Sequence, residues 1–233
     1  MLKGQIVYIE SYGPSVLQAK GAKASFDAND GWDVSLVPGY TPETIEDSEH
    51  FNTPIKPNSR LCGFKRENKN LYLTKMSCVI NHIEFWKRVV AINEPMCFLE
   101  HDSICTARSP TVGFDEYLIL NVDSVFRKPN ALAIKQFLGY RFPNTGDKAL
   151  DLPKNYPLKY YKNNEWIGSN MAPGTGAYAI TPDGASKLLM VAEQYLDQSD
   201  YLINSYNVRM QYISPSPVKF NKVSLKTSHG FRA

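Results

Sequence analysis

From Leu71 to Asn93, apolar residues recur at three- and four-residue spacing: Leu73, Met76, Val79, Ile80, Ile83, Trp86 and Val90. Such a stripe predicts one long amphipathic helix whose apolar face must be covered by another element. Asn93-Glu94-Pro95 ends it, because proline cannot continue a helix. An apolar run, Met96 to Leu99, follows at once and reads as a buried strand. A long helix feeding directly into a buried strand is half of a βαβ unit. It commits this region to an α/β arrangement.

The rest of the chain repeats the alternation. GQIVYIE (4–10) is a β-rich run closed by the turn cluster Ser11-Tyr12-Gly13-Pro14. Residues 14–30 suit a helix with apolar positions at Val16, Leu17, Ala24 and Phe26, and Asp33 to Val37 suit a second strand ended by Pro38-Gly39. Strand, helix and strand in this span make a βαβ unit with a right-handed connection. Residues 40–70 lack periodicity and predict a long loop, a feature that in compact domains is usually functional or disordered. Tyr117 to Val122 and Ala177 to Ile180 read as strands, and residues 139–166 as loop. Thr181 is a good N-cap with Pro182 behind it, so a helix runs on to about Leu196. Met210 to Ile213 is a last short strand before a Pro-rich tail. We expect one α/β domain over residues 1–233 with a mostly parallel central sheet.

Apolar residues make up 43% of the 233 and charged residues 21%, which fits an ordinary globular domain able to bury a core. A net charge of +3 neither demands nor excludes nucleic acid. No apolar run approaches the roughly 18–20 residues that span a bilayer, and MLKGQIVYIESYG lacks a secretion pattern. Cys62, Cys78, Cys97 and Cys105 have no CxxC spacing, so reduced thiols are expected. These features predict a cytoplasmic protein without a membrane span.

The strand Met96–Leu99 drives straight into Glu100-His101-Asp102. In open α/β sheets, ligands gather at the C-terminal ends of strands. Two carboxylates with one residue between them can present oxygens to Mg²⁺ or Mn²⁺, cations that keep open positions for substrate phosphates. A solvated strand end would carry the same charge, so the tripeptide alone leaves both readings open.

The order of motifs around it narrows the choice. Asn81-His82 and Trp86 lie on the long helix, then the apolar strand enters Glu100-His101-Asp102. Gly174-Thr175-Gly176-Ala177-Tyr178 comes later and leads into Gly184-Ala185 and Leu188-Leu189. From about Ser77 to about Pro217 this resembles glycosyltransferase family 25, the group of lipopolysaccharide and collagen galactosyltransferases. The resemblance implies a GT-A, Rossmann-like sandwich that binds a nucleotide sugar, with Mn²⁺ or Mg²⁺ as cofactor. It puts Glu100 and Asp102 in the place of the family's metal- and diphosphate-holding acids, Asp102 as the more direct ligand. The sequence departs from the family at three points. His101 replaces a middle acid, Asn81 replaces a Ser, and Tyr8-Ile9-Glu10-Ser11-Tyr12 replaces an Arg-containing opening near the nucleotide. Short variants with Glu-His-Asp are similar to proteins of large tailed bacteriophages, where a hydroxymethylated pyrimidine of DNA is an acceptor alongside glycans.

Carried over residue by residue, the resemblance implies donor-side roles for Tyr8, Glu10, His82, Glu100, His101, Gly174, Thr175 and Gly176. Each has a plainer reading: His82 and Trp86 as packed core, Gly174 and Gly176 as a tight turn. The family's chemistry is inverting and needs a base for the acceptor hydroxyl; Asp200 is the candidate and Asp197 its rival. His229 stands where several GT-A enzymes complete the metal shell, with Lys219, Lys222 and Lys226 near it; a solvated tail is the alternative. The basic stretch 56–75, with Lys56, Arg60, Lys65, Arg66, Lys69 and Lys75, is the segment that could face DNA. The expected activity is transfer of a hexose from a UDP-hexose. A nucleotide- or glycan-binding module without turnover is the alternative on the same fold.

Overall fold

A computed structural model describes residues 1–51, 68–125, 142–153, 156, 159–162, 165–172 and 175–221. It opens with β1 (Leu2–Tyr8), α1 (Gly13–Asp27) and β2 (Trp32–Pro38). The two strands pair in parallel, Leu2 opposite Trp32 through Tyr8 opposite Pro38, so this is the expected βαβ unit. A 3-10 turn at Ile45–Asp47 follows. Then come α2 (Lys69–Ile92), β3 (Met96–Glu100), β4 (Ser103–Cys105), β5 (Tyr117–Ile119) and the single turn α3 (Val122–Val125). The last part holds β6 (Leu150–Asp151), β7 (Lys159–Lys162), β8 (Glu165–Asn170), β9 (Ala177–Ile180), α4 (Pro182–Gln194), α5 (Ser199–Leu202), β10 (Met210–Tyr212) and β11 (Val218–Phe220).

Among the described residues, seven strands form one sheet in the order β2-β1-β3-β9-β5-β10-β6. β2, β1, β3, β5 and β10 run one way; β9 and β6 oppose them. The sheet is therefore mostly parallel, and β3 lies inside it between β1 and β9, as expected. β4 and β11 form a small ribbon, and β7 and β8 another.

α2 starts on Asn68, whose side chain accepts the Leu71 N–H at 3.0 Å, and stops at Asn93 in the left-handed region (φ 57°). Its buried face is wider than the predicted stripe. Tyr72, Phe85 and Val89 are buried, and Val90 is exposed instead. The reason is company: α2 meets both the sheet and the neighbouring α4, so two adjoining faces are covered. α4 is capped as its sequence predicts, with Thr181 Oγ1 accepting the Gly184 N–H at 3.2 Å. Apolar clusters fill both sides of the sheet, one under α2 and α4, the other under α1.

The predicted loop 139–166 contains β6, β7 and the start of β8. β6 is two exposed residues at a sheet edge, so it carries no apolar alternation to read. β4 and β11 are missed for a similar reason, each being three residues long. Cys78, Cys97 and Cys105 are free thiols. No helix among the described residues is long and apolar enough to cross a membrane.

One polar network crosses the core. Trp86 Nε1–H donates to the Tyr178 hydroxyl at 3.0 Å, and that hydroxyl lies 2.8 Å from His82 Nδ1. Burial pushes His82 down to about 3, so the ring is neutral. Tyr178 therefore donates its proton to Nδ1 while accepting from Trp86. Rings of His82, Phe98 and Tyr178 stack around this bond, with His82 and Phe98 centroids 4.1 Å apart. Tyr178→Phe leaves the Trp86 N–H and the His82 nitrogen without their partner in the core. It should lower unfolding stability by about 1–3 kcal/mol, read as a lower urea midpoint at unchanged slope. A midpoint equal to the parent's would show that the hydroxyl holds nothing together.

Candidate active site

β3 delivers Glu100 at its C-terminal end because Met96 and Phe98, four and two residues back on the same face, are buried under α2. The turn His101-Asp102 then leads into β4, which pairs antiparallel with β11, Ser103 opposite Phe220. The Asn221 N–H donates to the Asp102 carbonyl at 2.7 Å, so the described chain ends beside the acidic turn.

β9 brings the second wall. The Gly176 carbonyl accepts the Glu100 N–H at 2.8 Å and the Ser103 hydroxyl at 3.1 Å. A Cβ at Gly176 would lie 2.6 Å from the Phe220 ring and 2.9 Å from Glu100 Oε2. Only glycine lets the ring and the carboxylate approach this backbone together. One residue earlier, the Thr175 hydroxyl donates to Asp200 Oδ1 at 3.2 Å and lies 3.0 Å from Ser199 Oγ. Its single proton goes to the carboxylate, so Ser199 donates to Thr175. Asp200, in α5, is thereby turned toward Thr175 and the acidic end of β3. Asp197 is different: it is buried, and its Oδ1 accepts the Gln198 N–H at 2.8 Å.

Glu100, Asp102 and Asp200 form one electrostatic group. Glu100 is held well above the usual carboxylate range, first by loss of surrounding water, then by the charges of Asp102 and Asp200. The residue is exposed at the cleft, and the neighbouring charges of Asp102 and Asp200 act in the same direction as the loss of water. Asp102 is also raised, by burial. Burial lowers His101, which is neutral at neutral pH.

The other predicted residues fall in several places. His82 is 3% exposed inside the core network, one layer behind the cleft. Tyr8 packs with the cluster under α1, on the sheet face away from Glu100. Glu10 lines a cavity of about 440 Å³ beside β1 and β2, together with Gln5, Val7, Tyr40, Asn81 and Arg88. Val7 is the register partner of Glu100, so cavity and acidic turn adjoin. Gly174, His229, Lys222 and Lys226 lie outside the described residues, as do Cys62, Lys56, Arg60, Lys65 and Arg66.

Among the described residues, two groups could hold a cation. Asp102 Oδ1 is buried with no hydrogen-bond partner and sits beside the raised Glu100, a carboxylate pair short of positive charge that fits an oxygen-preferring divalent ion. Glu49, His50 and Glu84 form the other group, with ligand atoms within 4.8 Å of one another. There the Lys87 ammonium already pairs with Glu49, and His50 Nε2 lies 3.4 Å from Glu84. Sequence reasoning missed this group because Glu49-His50 sits in an aperiodic stretch and meets Glu84 only through folding.

Residues 28–203 match glycosyltransferase family 25 (LPS biosynthesis protein). No curated protein matches the chain.

The crowded carboxylates have a measurable cost. A folded-state pKa above the unfolded value means that the native protein binds the extra proton. Stability should therefore fall as pH rises from the ordinary carboxylate range toward the raised value of Glu100. With divalent ions removed by EDTA, Glu100→Gln should gain stability over the parent at about pH 8 and lose that advantage near pH 4. Urea midpoints across this range check it; a difference that does not vary with pH would contradict the repulsion.

Proposed function

Since the chain belongs to glycosyltransferase family 25, we propose that it transfers a hexose from a UDP-hexose to a glycan hydroxyl, inverting the anomeric centre. The observation that supports this reading is the meeting of Glu100, Asp102 and Asp200 around Gly176 at the end of a central strand. Such a strand end is where open α/β sheets bind ligands.

In this reading Glu100 and Asp102 would hold Mn²⁺ or Mg²⁺, and His229, outside the described residues, would be a further ligand. A bound cation would neutralise charge on the departing diphosphate. The remaining work falls to the chain. Asp200 accepts the proton of the acceptor hydroxyl; that oxygen bonds to the anomeric carbon as the bond to the diphosphate oxygen breaks; the nucleoside diphosphate leaves. Thr175 donates to Asp200 Oδ1 and orients the carboxylate. Asp197 is the weaker candidate, since its carboxylate is buried and holds the Gln198 N–H. His82 acts by positioning β9 rather than by touching the donor. Of the basic stretch 56–75, the part containing Lys56, Arg60, Lys65 and Arg66 lies outside the described residues, and no observation favours a DNA acceptor over a glycan.

The test is release of UDP from UDP-hexoses with and without Mn²⁺. We expect slow donor hydrolysis, and faster release with a lipopolysaccharide acceptor. Asp102→Ala should reduce both to background. Asp200→Asn should lower turnover by roughly 10²–10⁴-fold while UDP affinity by calorimetry stays the same. Azide, a nucleophile that needs no base, should restore part of the transfer. Binding without any turnover would identify a non-catalytic module; an Asp200→Asn variant that loses UDP affinity and keeps turnover would move the base elsewhere.

A further inference from the structure

The cavity beside β1 and β2 owes its wall to one side-chain amide. Asn81, on α2, accepts the Tyr40 N–H through Oδ1 at 2.7 Å and donates through Nδ2 to the Tyr40 carbonyl at 3.1 Å. The amide thus imitates a neighbouring strand and fastens the segment after β2 to the helix. Gly39 makes room for it: a Cβ there would lie 2.6 Å from Val7 Cγ1 and 3.0 Å from Asn81 Nδ2. An apolar side chain at this position satisfies neither backbone group of Tyr40.

The position of this clamp gives it a role. The sheet face at this level reads Glu100, Val7, Val37 across β3, β1 and β2. With strands roughly 4.8 Å apart, the cavity wall stands about 10 Å from the acidic turn. That is the scale on which a nucleoside extends from its diphosphate. Tyr40 supplies a partly buried ring, while Gln5 and Arg88, joined at 2.6 Å, supply polar edges. We propose that Asn81 is a positioning residue for the nucleoside half of the donor, acting through Tyr40. The proposal rests on the donor reading given above.

Calorimetry with two kinds of probe separates this role from a general structural one. UDP, CDP, GDP and ADP each carry a nucleoside; inorganic pyrophosphate engages the acidic turn alone. All are titrated with Mn²⁺ present. Asn81→Ala should weaken the tightest-binding nucleoside diphosphate about tenfold, the worth of one to two hydrogen bonds, and leave pyrophosphate unchanged. Gly39→Ala, which displaces the amide without removing it, should give the same selective loss. Equal losses for both probes, or none for the nucleoside diphosphate, would overturn the role of Asn81. A parent protein that binds none of the four nucleoside diphosphates would overturn the donor reading itself, and this proposal with it.

Discussion

The hydroxyl of Tyr178 is the point on which the arrangement turns. β9 is an antiparallel strand inserted between β3 and β5, which point the same way. A strand in that place is paired on both sides and is also held against the helix layer. Tyr178 does this by accepting a hydrogen bond from Trp86 and donating one to His82, both on α2. Stacking with Phe98 and Tyr117 spreads the same side chain over the neighbouring strands. Two residues earlier in β9's approach stands Gly176, where the Glu100 carboxylate comes close to bare backbone. The core bond and the acidic cleft are thus two parts of one strand placement.

The cleft itself is built against local stability. Three carboxylates share it, and Asp102 keeps a buried oxygen without a partner. A fold selected for stability alone would have paired or neutralised them. Their persistence beside a glycine, with a threonine hydroxyl aiming Asp200, suits a site that receives its positive charge from a bound ion. The second group, Glu49, His50 and Glu84, differs in that Lys87 already supplies a cation.

Much of this was legible in residue order. The stripe of α2, the stop at Asn93-Glu94-Pro95, the Thr181-Pro182 helix start and the buried run into Glu100 are local patterns with a fixed period or a fixed cap. They fall within a few residues of where the elements lie. Tyr40, Gly39 and Asn81 were harder. Asn81 stood out as a departure from the family's serine, yet nothing in the sequence tells that its amide reaches Tyr40, forty-one positions away. His82 shows the reverse: a motif residue that looked like a donor contact lies in the core, where only packing could put it.

The sequence by itself determined the alternation of strands and helices, the acidic end of β3 and the family to which the chain belongs, because each depends on residues close along the chain. Tertiary structure alone decided that β9 runs against its neighbours, that β4 and β11 pair beside Asp102, and that Thr175 meets Asp200 while Asp197 holds the Gln198 N–H. Those outcomes turn on contacts between distant segments, such as the Thr175 hydroxyl reaching Asp200 and the Gly176 carbonyl reaching Glu100 and Ser103. Such contacts leave no period in the sequence, since a single hydrogen bond between remote residues constrains two positions and no pattern between them.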